Sequence, residues 1–261
     1  MIRRGEGLNG GSPNVGRIEW ASAARVLGWV AGLGLLIGTV IRLVLSFELL
    51  GHPPEPPTDD FVDRTLSFYE FATSQWPIEF TSFAAFAIGF AALAALGPVL
   101  GRLASDDDAR GGLVMVTLLA LGGFGIASQL IPIGALPYLT FPELCECGLR
   151  EHEVMAREIA LGTIFGVQFW LVLGALVLAV PGFLLAGSLG ADAGMPSAWR
   201  WLSYLIPVAS IVLAVLAILE AFPFDQYVLG LTAGILVPIW AIWLAMRAGD
   251  LWGEAAYEET G

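Results

Sequence analysis

Cys145 and Cys147 flank a single glutamate, and His152 follows five residues later, so two thiols and an imidazole fall within eight residues. Thiolate sulfur and imidazole nitrogen together suit zinc or copper. The spacing is Cys-x-Cys and not the Cys-x-x-Cys of a zinc knuckle. A fourth protein ligand has to be a glutamate or come from elsewhere, with His52 the first choice. The other reading is structural. Cysteines in an oxidising compartment bridge to each other, bridge to a second copy, or stay as packed thiols. A disulfide across one intervening residue closes a small ring whose strain makes it reducible. The glutamates around them have their own explanation: Glu153 and Arg157 form an i,i+4 pair and Arg150 and Glu153 an i,i+3 pair on a helix start.

A second set of polar residues lies inside apolar runs. Arg42 stands sixteen residues into the first long run, which at about 1.5 Å per residue is ~24 Å from its start. Gln129 is at similar height on the third run, Gln168 is nearer the middle of the fourth, and Glu79 and Glu220 close the ends of the second and fifth. Charged groups at such depth face the bundle interior and find partners. The set therefore defines an expected ligand or ion pocket in which Arg42 pairs with Glu79 or Glu220. The alternative is that Arg42 snorkels to the headgroups and the glutamates only end their helices.

The elements that carry both sets are long and oily. Of the 261 residues, 57% are hydrophobic and 14% charged, against about 25% charged in soluble domains. Apolar runs of membrane-spanning length recur at about 26–47, 78–100, 113–133, 159–186, 201–222 and 227–246. The expected fold is all-α: a polytopic bundle of six transmembrane helices spanning residues 25–248, with a flexible tail over 1–24 and an acidic tail over 249–261. The first 24 residues lack the apolar core of a signal peptide, so the first span is expected to drive insertion. In the first loop, His52–Pro57 is stiffened by four prolines. Thr58 then caps an expected outer amphipathic helix on which Phe61, Thr65, Phe68, Tyr69 and Ala72 share a face. Pro77 is expected to open the second span, and Pro132 and Pro137 to stop the third.

Arginine placement predicts the orientation. Arg3, Arg4, Arg17, Arg25, Arg102, Arg110, Arg200 and Arg247 fall on one side, against Arg64, Arg150 and Arg157 on the other. The positive-inside bias makes the first side cytoplasmic, with both termini inside and the cysteine connector outside. The location expected is the cytoplasmic membrane. In the first span, Gly28/Gly32 and Gly34/Gly38 are small-xxx-small pairs that allow close packing within the bundle.

Composition also excludes. All twelve basic residues are arginine, so no Schiff base to retinal or pyridoxal phosphate can form, and no Walker-A lysine is present. A net charge of −12 repels nucleic acid. His152-Glu153 lacks the second histidine of a zincin, both histidines lie outside the spans where a haem would sit, and no Gly-x-Ser-x-Gly elbow occurs. No cofactor is expected beyond the metal that the cysteine cluster leaves open. The partners expected are the lipid bilayer and either a second copy or another membrane component.

Arg25-Val-Leu-Gly28 at the first span, Pro196-Ser-Ala-Trp-Arg-Trp-Leu202 before the fifth, and Trp240-Ala-Ile-Trp243 with Arg247 in the sixth resemble a family of six-helix bacterial and archaeal membrane proteins classed as a domain of unknown function. The Cys-x-Cys connector is not part of that family's pattern. The resemblance implies the six-helix layout and transfers no functional residue. The expected function is non-enzymatic: a binding, sensory or accessory component acting through its outward polar face. The alternatives are a small-solute or ion transporter around Arg42, and an outward thiol or metal-dependent enzyme.

Overall fold

A computed structural model describes residues 13–47, 61–104, 108–139, 151–219 and 232–253, and the described residues are helical apart from short turns. The helices are α1 (Pro13–Ser46), α2 (Phe61–Gly101), α3 (Ala109–Leu139), α4 (Glu151–Asp192), α5 (Ser197–Ile218) and α6 (Val237–Gly253). A π-helical turn, Thr232–Leu236, leads into α6. Each of the first five, and α6 together with the π turn, contains a segment long and apolar enough to cross a membrane. The expected all-α, six-helix bundle is therefore present.

The helices form a ring in which chain neighbours are space neighbours. α1 packs on α2, α2 on α3, α3 on α4 and α4 on α5; α1 also packs on α6, and the π turn lies between α1 and α5. Helices this apolar suit a membrane, where dispersion and close backbone approach hold such contacts. Small residues make that approach at the α1–α2 seam. A Cβ added to Gly34 would lie 2.9 Å from the Gly89 amide nitrogen, and one on Gly89 would lie 2.8 Å from the Leu35 nitrogen. Ser82 Oγ donates to Gly38 O across the same seam at 3.0 Å. Further down, Leu35, Leu93, Leu96, Leu118, Phe183 and Trp240 fill the fully buried core.

Three boundaries differ from the sequence expectation. The outer amphipathic helix of the first loop is not a separate element. Residues 61–76 run straight into the second span, and Pro77 lies inside α2. Proline removes one intrahelical donor but its φ is helical, and no glycine or turn pair interrupts 61–76, so the helix continues. α3 likewise runs through Pro132 and Pro137 to Leu139. At the N-terminus α1 starts at Pro13, a position where proline suits a helix start, so helix reaches into the stretch read as tail.

α4 is the longest helix, with 42 residues. At about 1.5 Å per residue it extends ~63 Å, twice a hydrocarbon core of about 30 Å. Its first half stands clear of the ring: Met155, Ile159, Phe165, Val167 and Trp170 are exposed, and a Cβ on Gly162 or Gly166 would meet nothing within 4 Å. Its other end is closed by a Schellman turn. Gly194 takes φ 82°, Met195 N–H donates to Gly190 O at 2.8 Å and Gly194 N–H to Ala191 O at 3.3 Å.

Candidate functional site

Arg42 lies in the last turn and a half of α1, and Glu79 and Phe83 are one turn apart on the facing stretch of α2. The i,i+4 spacing puts Glu79 and Phe83 on one face of α2. Arg42 uses both. Its Cζ sits 4.9 Å from the centroid of the Phe83 ring, and its guanidinium interacts electrostatically with the Glu79 carboxylate. Arg42 and Glu79 are half-buried, while Phe83 is buried. A guanidinium over an aromatic face is held by the ring quadrupole, and the attraction grows as water is removed. The arrangement holds a cation over a ring face, with the Glu79 carboxylate near enough to influence it but in no salt bridge with it.

The other residues of the expected pocket go elsewhere. Gln129 on α3 is buried, and its Nε2 donates to Ser128 Oγ at 2.9 Å, while Ser128 Oγ donates to Gly125 O at 2.7 Å. Gln168 is half-buried on α4. Neither makes a hydrogen bond to Arg42 or Glu79 among the described residues. Glu220, Cys145 and Cys147 lie outside the described residues, as does His52; the His152 backbone belongs to α4 but its side chain is outside what is described. No group of three or more metal-capable side chains occurs among the described residues. Of the expected set, Arg42 and Glu79 are the members that stand on facing helices, α1 and α2, without a salt bridge between them.

Two further constellations had no counterpart in the sequence reading. On α5 and α6, Trp199 and Trp240 stack with centroids 5.1 Å apart and close a hydrogen-bond circuit. Trp199 Nε1 donates to Trp240 O at 3.1 Å, Trp240 Nε1 donates to Ser203 Oγ at 2.8 Å, and Ser203 Oγ donates to Trp199 O at 3.1 Å. Phe183 of α4 meets the Trp240 ring edge-on at 4.9 Å. Every polar atom in this aromatic knot is satisfied, so it is a structural joint between helices that otherwise touch little. Both tryptophans are plain in the sequence, but nothing in their spacing pairs them.

The second lies at the end of the bundle opposite Arg42. Arg110, at the start of α3, binds Asp108 Oδ2 at 2.6 Å and Asp192 Oδ2, at the end of α4, at 2.7 Å. Its Nε also donates to Asp108 Oδ2 at 2.8 Å. The Arg110 side chain, and then its backbone N–H, hold the Asp108 carboxyl below the usual carboxylate range. Arg102 sits 5.3 Å over the Trp20 ring, and Arg247 pairs with Asp250 at 2.8 Å. Arg110 thereby links α3 to α4 and Arg102 the end of α2 to α1, while the Arg247–Asp250 pair lies within α6.

Comparison with family models, with characterised proteins and with solved structures finds no match for this chain.

Proposed function

We propose that this chain is a multi-pass protein of the cytoplasmic membrane that acts as a binding component, taking an anionic group at Arg42 on its outward face. The observation that carries this reading is the placement of Arg42 over Phe83 and beside Glu79. A charge within an apolar span is expensive and is a functional-site hypothesis by default. Here the helix seam does not need it. The α1–α2 contact rests on Gly34, Gly38 and Gly89 and on the Ser82–Gly38 hydrogen bond, all of them independent of the two charges. Glu79 acts on the guanidinium without forming a salt bridge to it, so a ligand carboxylate or phosphate would take the ion-pair position and be weakened by the Glu79 charge. Such capture is a binding event and requires no bond chemistry, which is why a non-enzymatic role is favoured.

The test compares wild type with Arg42→Gln and Glu79→Gln, purified in one detergent and screened for thermal stabilisation by small carboxylates and phosphates. The expected result is a stabilising anion for wild type, a stronger response for Glu79→Gln and none for Arg42→Gln at equal expression. A uniform response across the three proteins defeats the reading. Uptake into proteoliposomes of an anion found this way separates a binding component from a transporter.

A further inference from the structure

The apolar length of α4 exceeds that of the helices beside it. Three helix ends are level where α4 stops: Arg110 at the start of α3 binds Asp192 at 2.7 Å, and a Cβ on Gly101 of α2 would lie 2.8 Å from Gly111 O of α3. From that level α2 has no ionised residue between Arg102 and Glu79, 23 positions apart, and α4 has none between Asp192 and Glu158, 34 positions apart. At about 1.5 Å per residue these stretches are ~35 Å and ~51 Å. The first suits a hydrocarbon core of about 30 Å, and the second exceeds even the ~40–45 Å that includes the headgroups. Tilt does not absorb the difference, because fitting ~51 Å into ~35 Å needs about 47°, outside the range of about 0–40° for membrane helices. Some 16 Å of apolar helix, about eleven residues from Ile159 onward, therefore stands beyond the spans. No described residue covers it. Ile159 and Trp170 are 65% and 67% exposed, and a Cβ on Gly162 or Gly166 would meet nothing within 4 Å. The other Gly-x-x-x-Gly pairs of the membrane-crossing segments each seat a neighbouring helix: Gly28/Gly32 seat α6, Gly34/Gly38 seat α2 and Gly97/Gly101 seat α3.

We propose that α4 pairs with α4 of a second copy of this chain, as a parallel two-fold dimer in which Gly162 and Gly166 seat the partner helix. Lipid tails do not reach an apolar segment beyond the core, and a large apolar patch left in water marks a protein contact. The face is continuous. At about 100° per residue, Met155, Ile159, Trp170, Val177 and Leu184 share one side of α4 with the two glycines, and all five are exposed. Its area suffices. With roughly 100 Å² from each half-exposed large side chain, the face brings about 500 Å² per copy and about 1,000 Å² per pair, the least that a specific interface needs. Its charge permits burial, since no ionised residue occurs between Ile159 and Leu184 and pairing strands no buried charge. A two-fold axis sets this stripe against its own copy, and the glycines let the two backbones approach closely. The dimer is independent of the Arg42 site, which lies on α1 and α2.

Sedimentation of the full chain over a dilution series in mild detergent tests the pairing. Wild type is expected to be a dimer. The variant carrying Gly162→Leu and Gly166→Leu is expected to dissociate about tenfold to a hundredfold more readily, the effect of overpacking a close seam. Its monomer should melt as wild type does, because both positions are open within one copy. An unchanged dimer in the variant overturns the proposal. So does a monomeric wild type, the outcome if the chain's own connectors or a different protein cover α4. Should the variant not fold, cysteine cross-linking in native membranes takes its place, on a background of Cys145→Ser and Cys147→Ser. Ile159→Cys and Trp170→Cys, on the shared face, are expected to join two copies, and Val167→Cys, about a quarter-turn or more away, is not. Cross-linking that is equal at the three positions, or absent at Ile159 and Trp170, overturns the proposal.

Discussion

The guanidinium of Arg42 lies over the ring of Phe83, with Cζ 4.9 Å from the ring centroid, while Glu79, one turn before Phe83 on α2, supplies the neighbouring negative charge. One helix therefore offers the cation a ring face in contact and, one turn earlier on the same stripe, a carboxylate that acts on it without a salt bridge.

Phe83→Leu removes the ring face and keeps an apolar side chain. The expected loss is about 0.5–2 kcal/mol, the range of a cation–π contact from exposed to desolvated, and Phe83→Tyr keeps most of it. Unfolding in mixed detergent micelles, run in parallel on Arg42→Gln and the double variant, isolates the coupling. Strict additivity would mean that the ring contact contributes nothing.

The Trp199–Trp240–Ser203 circuit predicts that Trp240→Phe costs about 1–2 kcal/mol. The aromatic volume is retained but the 2.8 Å donor to Ser203 Oγ is lost. Trp240→Ala, which also opens a void at a fully buried site, is expected to cost about 3–5 kcal/mol. Near-ultraviolet circular dichroism should lose intensity in both, since the stacked pair is broken or altered.

Glycine substitutions should separate by location. Gly34→Ala and Gly89→Ala each push a methyl into the opposing backbone, and overpacking of this kind costs about 1–3 kcal/mol. Gly162→Ala and Gly166→Ala, with open space around both, are expected to be neutral or to stabilise by up to about 1 kcal/mol through helix propensity. Equal effects at the two pairs, read from detergent melting curves, would contradict the packing described for α1 and α2.

The Asp108 carboxyl gives a pH dependence with a defined sign. Arg110 holds its pKa below the ordinary value of about 3.9. A lowered folded-state pKa stabilises the fold above the unfolded value and loses that contribution as pH falls through the folded one. Stability should therefore decline on acidification below about pH 4, and Asp108→Asn should flatten that limb while leaving the neutral plateau lower. An unchanged acid limb in the variant would assign the decline to other carboxylates.

Much of this architecture follows from sequence alone, and the physical reason is the solvent. A chain in hydrocarbon must satisfy its backbone within each segment, so six apolar runs of sufficient length already imply six helices, and the small residues at 28, 32, 34 and 38 already imply close neighbours for α1. Position along the runs put Glu79 at a height comparable to Arg42, because both lie near the same ends of adjacent antiparallel runs. Helix ends were less legible: Pro77, Pro132 and Pro137 are breakers by type, yet helix passes through all three, since one missing donor does not outweigh the turns on either side. What only the tertiary structure decided is which polar groups meet. Gln129 turned to Ser128 and not to Arg42, and Phe83 became the seat of the cation. Those outcomes depend on the rotation of each helix about its own axis, and that rotation is set by ring packing between helices rather than by any property of a single run.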